Sequence, residues 1–289
     1  MSNNNKEYSQ AFLIGLPNFQ NNCFINTALQ VLINLPILNH TFGEKYEKKK
    51  HVLLDTKLTM WGDFYYYLLQ QQRQPINSLI YRKFYESLVQ NNIVEYNQPN
   101  DYHELLAMLI DNLTQIQQKL GCQITFASCL NIQINRTLDC QNCFFAKPSN
   151  EITNFLQLSN LEQNLYPLCQ PVSLAHYQCE KCHQSDCHII NIHTVKLPKI
   201  LLFHQPFKTT NHHLRTQYIF PNLTRKYQLY GIVCHTGTTE NGHYFFILYL
   251  NQKFILINDN IIREIQPESN RDNTYTFQNV VSVILLRMK

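Results

Sequence analysis

The hydrophobic pattern of this chain changes near residue 123, and that change limits the folds open to it. Before this point, apolar residues recur at spacings of three and four, which predicts helices over about 23–35, 57–71, 79–90 and 101–119. After it, alternating β-branched and aromatic residues predict strands over 132–135, 189–195, 201–207, 228–235, 244–250 and 253–257. No Gly- or Pro-rich linker separates the two parts. The sequence therefore predicts an α+β protein with a helical first half and a sheet-rich second half.

Cys23 stands at the start of the first predicted helix, whose apolar pattern runs until Pro36 interrupts it. The unpaired N–H groups and the positive dipole of a helix N-terminus favour a thiolate, the form in which cysteine is a nucleophile. This signal is weak alone, because the chain has 10 cysteines and a cysteine beside an apolar helix more often packs in a core. His243, in Gly242-His243-Tyr244, lies next to a predicted strand and could act as the base. The two residues predict an active cleft between the helical part and the sheet.

Two Cys-x-x-Cys pairs indicate a metal site, and 35 residues separate them. The four thiols are Cys140, Cys143, Cys179 and Cys182. Each pair can fill two corners of a tetrahedral zinc site, and four thiolates close it, which is typical of structural zinc. The long spacing requires two hairpin tips that the sheet brings together. Free thiols remain the alternative, with His183, Cys187 and His188 as possible substitute ligands and Cys129 and Cys169 as core thiols.

Charge and targeting signals exclude several classes of function. A net charge of +4 with 15% charged residues is too mild for a nucleic-acid surface, and the Lys45 to His51 cluster fits a solvated helix face. No apolar run reaches the length of a membrane span, and the N-terminus does not resemble a secretory signal. We therefore expect an intracellular soluble protein of the cytoplasm or nucleus, without nucleic-acid or membrane partners. A reducing compartment also favours metal binding over disulfides.

Five blocks in the same order resemble the ubiquitin-specific protease family across residues 12 to 288. Gly15-Leu16-Pro17-Asn18 through Cys23-Phe24-Ile25-Asn26 resembles the cysteine box of that family, and Asp101-Tyr102-His103-Glu104-Leu105-Leu106 resembles its Asp-Ala-x-Glu-Phe-Leu helix. The cysteine pairs follow, then Leu197 to Phe203, which resembles the palm strand. The histidine box matches from Tyr227 to Tyr244, and the final strand and turn match from Phe254 to Ile262.

This resemblance implies a papain-like cysteine protease fold shaped like a right hand. The expected domain plan is a poorly ordered N-terminus over 1–11 and a single catalytic domain over 12–289. Within that domain we expect a helical thumb at 12–122, zinc-bearing fingers at 123–200 and a palm at 201–289. The implied activity is thiol-dependent hydrolysis of the isopeptide bond after the C-terminal glycine of ubiquitin on conjugated proteins, with one structural zinc ion. An activating partner protein is possible.

The resemblance also implies roles for the catalytic residues. Cys23 is the nucleophile, His243 is the base, and Asn258 orients the imidazole. Asp259 would point to the opposite side if the strand continued, although a turn could bring it near His243. Asn18 matches the side chain that lines the oxyanion hole; without the surrounding box it would be an ordinary asparagine of a polar turn.

Five more residues are implied to line the substrate site. Asp101 and Glu104 match acids that contact the basic tail of ubiquitin, although capping and first-turn electrostatics of their own helix explain them equally well. His235 is expected in a loop that lines the cleft. Gly242 and Tyr244 flank the catalytic histidine.

The chain departs from the family where Gln20 and Asn22 replace a glycine and a threonine beside the nucleophile. Pro99-Asn100 and Gln205-Pro206-Phe207 replace the residues usual at two other blocks. These changes leave two alternatives: a catalytically silent ubiquitin-binding scaffold of the same fold, and a protease for a ubiquitin-like modifier. A nucleic-acid zinc module is a weaker reading, because no basic, aromatic-rich stretch surrounds Cys140 or Cys179.

Overall fold

The computed structural model describes residues 12–19, 21–42, 44–71, 76–96, 98, 100–162, 170–185, 188–206, 210–220, 225–238, 241–269 and 274–288. The predicted poorly ordered segment 1–11 lies outside this range, as do Gln20, Pro99, Cys169, Cys187 and Phe207. The chain divides into two compact units. One contains Met1–Cys129, Pro206–Thr216 and Tyr230–Val283, and the other contains Leu130–Gln205, Gln217–Leu229 and Ile284–Lys289. The proposed division into thumb, fingers and palm stays a prediction.

Helices dominate the first part of the chain and strands the second, as predicted. The helices are α1 Cys23–Asn34, α2 Pro36–Phe42, α3 Glu44–Lys49, α4 Thr56–Gln70, α5 Ser78–Gln90, α6 Tyr102–Lys119, α7 Phe126–Leu130 and α8 Leu158–Glu162, with a 3₁₀ turn at Lys50–Val52. The strands are β1 Ile132–Cys140, β2 Ala146–Thr153, β3 Phe155–Gln157, β4 Val172–Leu174, β5 His188–Lys196, β6 Ile200–His204, β7 Asn211–Arg215, β8 Gln217–Phe220, β9 Arg225–Gly237, β10 Gly242–Leu250, β11 Lys253–Asn258, β12 Ile261–Ile265, β13 Thr274–Gln278 and β14 Val280–Arg287. No helix in the described part of the chain is both long enough and apolar enough to cross a bilayer.

The first unit places α1 at its centre. All 12 residues of α1 are buried, and the helix packs on α6 and against β10 and β11. The strands of this unit run in the order β12-β11-β10-β9-β14, and β7 pairs separately with β13. Large aromatic side chains fill the space around α4 and α5, where the rings of Phe64 and Phe84 stack 3.8 Å apart. A helix buried on every side belongs to a core and cannot be placed by amphipathic pattern alone.

A row of amide side chains joins α1 to the extended segment that precedes it. The members of this amide row recur every fourth residue on one face of the helix and are at most 2% exposed: Asn22, Asn26, Gln30 and Asn34. Asn34 accepts from the Phe12 N–H at 3.0 Å and donates to the Phe12 carbonyl at 3.3 Å, and Gln30 donates to the Ile14 carbonyl at 2.5 Å. Asn26 donates to the Pro17 carbonyl at 3.3 Å, and Asn22 accepts from the Phe19 N–H at 2.9 Å. The amide row therefore supplies the buried backbone of residues 12–19 with partners that a neighbouring strand would otherwise provide.

Polar side chains cap three of the long helices. Asp55 accepts from two N–H groups at the start of α4, Asn77 does the same for α5, and Asp101 accepts from the His103 N–H at 2.6 Å to begin α6. In α1, by contrast, the N-cap Asn22 makes no side-chain cap hydrogen bond. Its amide serves the preceding loop instead, so the first N–H groups of α1 are not taken up by their own N-cap.

The second unit contains an antiparallel sheet of order β2-β1-β5-β4. One cysteine pair occupies the turn between β1 and β2, and the other lies between β4 and β5. The pairing of β1 with β5 sets Cys140 opposite His188. This agrees with the predicted pair of hairpin tips joined through a sheet. Elsewhere in this unit β6 lies between β14 and β3, and β8 pairs with β9.

Several elements differ from the sequence prediction for physical reasons. Pro36 does not simply interrupt a helix; it begins α2, because the first helical position needs no N–H donor. The alternation does not predict β14, in which every residue from Val280 to Leu286 is buried and all but Ser282 are apolar. The strands β2, β3, β4, β7, β8 and β12 are short or polar and carry too little alternation to be predicted; β13 alternates polar and aromatic residues and was also not predicted.

We expect Asn34→Ala to lower the free energy of unfolding by about 1–3 kcal/mol, because it leaves the buried N–H and carbonyl groups of Phe12 without their amide partner. Asn112→Ala is the matched control, since that partly exposed amide donates a hydrogen bond to the Met108 carbonyl one turn earlier in α6. Urea titration followed by circular dichroism measures both. Equal midpoints for the two variants would show that the amide row does not hold the segment in place.

Candidate active site and zinc-binding cluster

Cys23 is the first residue of α1 and is 6% exposed. The residue before the N-cap, Asn21, has a φ of 48°, a left-handed conformation that asparagine tolerates better than most side chains. The tight turn into the helix is thus made at Asn21. Gln20, whose effect on this turn the sequence analysis raised, lies outside the described residues.

His243 on β10 and Asn258 at the end of β11 form a close pair. The distance from His243 Nε2 to Asn258 Oδ1 is 2.6 Å. Because an amide oxygen only accepts, Nε2 donates, which leaves Nδ1 as the ring nitrogen available to the thiol. A hydrogen bond with Cys23 is the main cause that raises the pKa of His243 to about 9; burial opposes this, and Asn258 and the charges of Cys23 and Asp259 add to it. An imidazolium beside the thiol therefore persists through neutral pH.

Asp259 begins the two-residue turn between β11 and β12, with a φ of 51°. The strand does not continue through it, and the turn brings its carboxylate toward the histidine. Oδ2 lies 3.8 Å from His243 Nε2 and accepts from Asn18 Nδ2 at 2.8 Å, while Oδ1 accepts from Asn26 Nδ2 at 2.7 Å. One carboxylate thus joins Asn18, α1 and the neighbourhood of His243.

Asn18 is exposed and extends from the segment that the amide row holds. That segment approaches the β11–β12 turn closely, since the Leu16 N–H donates to the Asp259 carbonyl at 3.0 Å. At Gly15, an added Cβ would lie 3.0 Å from the Cα and from the carbonyl oxygen of Asn260. The glycine is required here because backbone passes against backbone.

A buried network that the sequence did not predict extends from the same place. Tyr81 on α5 donates to Asn26 Oδ1 at 2.5 Å and accepts from Asn22 Nδ2 at 2.9 Å. The cysteine box contains both asparagines, so their proximity to Cys23 was available from the sequence. Nothing in the α5 sequence distinguishes Tyr81 from a core aromatic residue.

The two acids expected to bind substrate lie at the start of α6. Asp101 is the N-cap, which supports the capping explanation, and it is also exposed. Glu104 is exposed in the first turn. Both acids remain accessible to a ligand, and the charge of Asp101 acts on His235 and on Tyr244.

His235 lies within β9 and not in a loop, which corrects the sequence prediction. It is 4% exposed, and burial lowers its pKa, with the charge of His243 acting in the same direction. Its ring lies 4.3 Å from that of Tyr244, and it occupies the space that a Cβ at Gly242 would need. Burial raises the pKa of Tyr244 to about 12. Gly242 is therefore required by the packing of His235 beside the catalytic strand.

The four predicted zinc ligands converge in the second unit. The sulfur atoms of Cys140, Cys143, Cys179 and Cys182 all lie within 4.8 Å of one another. Two of the distances, Cys140 to Cys182 and Cys143 to Cys179, are 3.7 Å. A tetrahedral zinc ion with Zn–S bonds of about 2.3 Å separates its ligands by about 3.8 Å, so the cluster has the size that zinc requires.

Hydrogen-bond donors surround two of the four sulfur atoms. The backbone N–H groups of Lys181 and Cys182 donate to Cys179 Sγ at 3.4 and 3.5 Å. Asn142 donates to Cys182 Sγ, and this hydrogen bond is the main cause that lowers the pKa of Cys182. Such outer contacts orient metal ligands. The four cysteines are positioned to bind a zinc ion, as predicted.

Comparison with known proteins identifies the family. Residues 14–282 match the family model for ubiquitin carboxyl-terminal hydrolases. Ubiquitin carboxyl-terminal hydrolase 12 of Salmo salar is 24% identical over 316 residues, which cover 88% of this chain and 82% of that protein. A probable ubiquitin carboxyl-terminal hydrolase 8 of Schizosaccharomyces pombe is 40% identical over 53 residues, covering 18% of this chain and 12% of that protein.

Solved structures confirm the predicted α+β fold of the ubiquitin-specific protease type. The SAGA Ubp8/Sgf11/Sus1/Sgf73 DUB module bound to ubiquitin aldehyde matches with a TM-score of 0.76 and 16% identity, over 98% of this chain and 71% of the matched chain. The same module bound to monoubiquitin gives a TM-score of 0.74 and 17% identity, over 97% of this chain and 70% of that one. The chain therefore belongs to the ubiquitin carboxyl-terminal hydrolase family and is a cysteine-type deubiquitinase.

Proposed function

We propose that Cys23 is the nucleophile and His243 the general base and acid of this enzyme, with Asn258 as the orienting residue. The observation that carries the proposal is the 2.6 Å hydrogen bond from His243 Nε2 to Asn258 Oδ1. Cys23, the first residue of the buried helix α1, is hydrogen-bonded to the same imidazole. An amide orients the ring as in other Cys-His-Asn sites.

The reaction follows from these positions. The Cys23 thiolate attacks the carbonyl carbon of the C-terminal glycine, and the imidazolium of His243 gives its proton to the departing lysine amine. The thioester that forms is then attacked by water, from which His243 takes a proton, and Cys23 leaves. The uncapped N–H groups at the start of α1, with the Asn18 amide held by Asp259, would stabilise the oxyanion in both steps.

The proposed substrate is the isopeptide bond between the C-terminal glycine of ubiquitin and a lysine of a conjugated protein. The exposed acids Asp101 and Glu104 would bind the basic tail, and His235, Gly242 and Tyr244 would form the wall beside His243. The matched Ubp8 structures contain ubiquitin or ubiquitin aldehyde, which supports this substrate.

The matched modules also contain Sgf11, Sus1 and Sgf73, and on that ground we extend the proposal to a partner protein that raises activity. We place the enzyme inside the cell, because a reducing compartment preserves both a thiol nucleophile and a thiolate metal site. One zinc ion, held by the four-cysteine cluster, would stabilise the second unit without taking part in the reaction.

We expect ubiquitin with a thiol-reactive C-terminal group to form an adduct with the wild-type protein but none with Cys23→Ala. His243→Ala should lower the rate of capture about 10²–10⁴-fold, because the base is lost. Intact-protein mass spectrometry measures the adduct, and Cys122→Ala is the control, a partly exposed thiol in the same unit. Reversible ubiquitin binding without capture would indicate the silent scaffold. Capture by the probe of a ubiquitin-like modifier alone would indicate a different substrate.

The pH dependence of kcat/KM should report the raised pKa of His243. Activity requires the imidazolium, so it falls as the pH rises through about 9 instead of through the ordinary value of 6.5. Asn258→Ala removes a hydrogen bond that raises this pKa, and the alkaline limb should move to lower pH. Hydrolysis of a fluorogenic ubiquitin substrate from about pH 6 to about pH 10 measures the shift. Asn112→Ala serves as the reference variant. If the alkaline limb of Asn258→Ala lay at the same pH as that of the reference, Asn258 would not be the residue that orients His243.

The purified chain should contain one zinc ion. Cys143→Ser removes a ligand, so zinc content measured by mass spectrometry should fall toward zero and the melting temperature should drop. Cys122→Ser should keep the zinc content and the melting temperature of the wild type. If Cys143→Ser kept its zinc, the metal would be held elsewhere.

A further inference from the structure

We propose that Tyr81 is a positioning residue for this reaction: its hydroxyl holds the two amides on either side of Cys23 and, through them, the places of Asp259 and Asn18. The inference rests on the proposed function and adds to it a residue of α5 that lies outside every motif of the family resemblance.

The contacts form a continuous series of hydrogen bonds that runs from Asn22 through Tyr81 and Asn26 to Asp259 and Asn18. Asn22 Nδ2 donates to the Tyr81 hydroxyl at 2.9 Å, and that hydroxyl donates to Asn26 Oδ1 at 2.5 Å. Asn26 Nδ2 then donates to Asp259 Oδ1 at 2.7 Å, and Asp259 Oδ2 accepts from Asn18 Nδ2 at 2.8 Å. Every donor in the chain has an acceptor, and Asn22, Asn26 and Tyr81 are almost wholly buried. Hydrogen bonds linked in this way polarise and strengthen one another.

The hydroxyl and the Asp259 carboxylate hold the Asn26 amide from its two ends, and the carboxylate, which only accepts, sets which way it faces. An amide turned by half a revolution keeps its shape but exchanges donor and acceptor. Tyr81 donates to Asn26 Oδ1, and the Nδ2 of that amide is directed at the Asp259 carboxylate. In the reversed orientation, an amide oxygen would face a carboxylate oxygen, and two acceptors would repel each other.

The same hydroxyl holds the Asn22 amide together with two backbone groups. Tyr81 accepts from Asn22 Nδ2, so Oδ1 is left to accept from the Phe19 N–H at 2.9 Å. Asn22 Nδ2 also donates to the Pro17 carbonyl at 3.1 Å. These two hydrogen bonds hold the backbone at Pro17 and Phe19, on either side of Asn18. The orientation of Asn22 therefore sets the position of the backbone from which the Asn18 side chain extends.

Asn22 stands where the family usually has a threonine. A threonine hydroxyl has one proton and could not donate to both Tyr81 and Pro17 while accepting from Phe19. The asparagine can do all three. We therefore treat Asn22 and Tyr81 as a matched pair that replaces the usual turn beside the nucleophile.

Burial keeps the Tyr81 hydroxyl protonated, so it can donate a hydrogen bond. Desolvation is the main cause that raises the pKa of Tyr81 far above its ordinary value, and the charge of Asp259 acts in the same direction. Tyr81 thus remains a donor to Asn26 over the whole working pH range. Its ring also lies 5.7 Å from that of Phe19, a packing contact that phenylalanine would retain.

Tyr81→Phe tests the hydroxyl alone, and Tyr65→Phe is the control. Tyr65 on α4 is equally buried, and its hydroxyl has no hydrogen-bond partner among the described residues. With active enzyme counted by the ubiquitin capture probe, Tyr81→Phe should lower kcat on a fluorogenic ubiquitin substrate about tenfold. KM should change less than about twofold, because the network does not touch the body of the substrate. Tyr65→Phe should leave both constants unchanged.

Two further measurements separate positioning from a structural role. In an Asp259→Ala background, Tyr81→Phe should cost less kcat than it does in the wild type, since the route through Asn26 to Asp259 is gone and only the route through Asn22 remains. Alkylation of Cys23 by iodoacetamide should keep its wild-type rate in Tyr81→Phe, because the bonds among Cys23, His243 and Asn258 are untouched.

The inference is overturned if an active wild-type enzyme loses no kcat on Tyr81→Phe, or if the loss is undiminished without Asp259. A lowered melting temperature with unchanged kcat per active enzyme would make Tyr81 a stability residue and would also overturn it. A wild-type protein that is not captured and does not hydrolyse ubiquitin would refute the proposed function, and this inference with it.

Discussion

A buried helix and an extended segment are joined side by side through four amides, and the position of the active site depends on that contact. Residues 12–19 belong to no assigned strand. The amide row of α1 supplies their backbone with hydrogen bonds of the kind that a neighbouring strand would provide. Buried backbone groups are costly without partners, so the segment and the helix fix each other. Because Cys23 begins the helix and Asn18 extends from the segment, the same contact sets their separation.

The turn between β11 and β12 provides the second constraint. Its positive φ at Asp259 returns the chain after Asn258, so two consecutive residues reach the same histidine from one hairpin. The carboxylate is 12% exposed, accepts from two amides and lies 3.8 Å from Nε2 of His243, whose imidazolium is its cationic partner. Charge-assisted hydrogen bonds of this kind are stronger than neutral ones and suit a site that must keep its geometry through two proton transfers.

The sequence predicted the fold well where the signal was local or repeated. The four long helices were found within a residue or two, since their apolar spacing and a cap such as Asp101 are evident in the sequence. The cysteine pairs gave the metal cluster because ligand type and spacing carry the chemistry. The roles of Cys23, His243 and Asn258 rest on the family resemblance, because the physical pattern alone gave only a weak signal for Cys23 and a candidate base in His243. Tyr81 and the strand position of His235 were missed, because each depends on which side chain meets it across the fold, and that partner is distant in sequence.

Because α1 is completely buried, it cannot form before the elements around it have folded. Its amide residues recur every fourth position, and its other residues except Thr27 are apolar, so alone in water it would have neither a solvated face nor strong helix propensity. The helix can be stable only once β10, β11 and α6 have closed around it. Until then, the thiol of Cys23 has no helix N-terminus and no imidazole beside it. If Cys23 is the nucleophile, as proposed, a nascent or damaged chain would carry it in an unreactive form, and thiol reactivity toward a ubiquitin probe would count the correctly folded molecules.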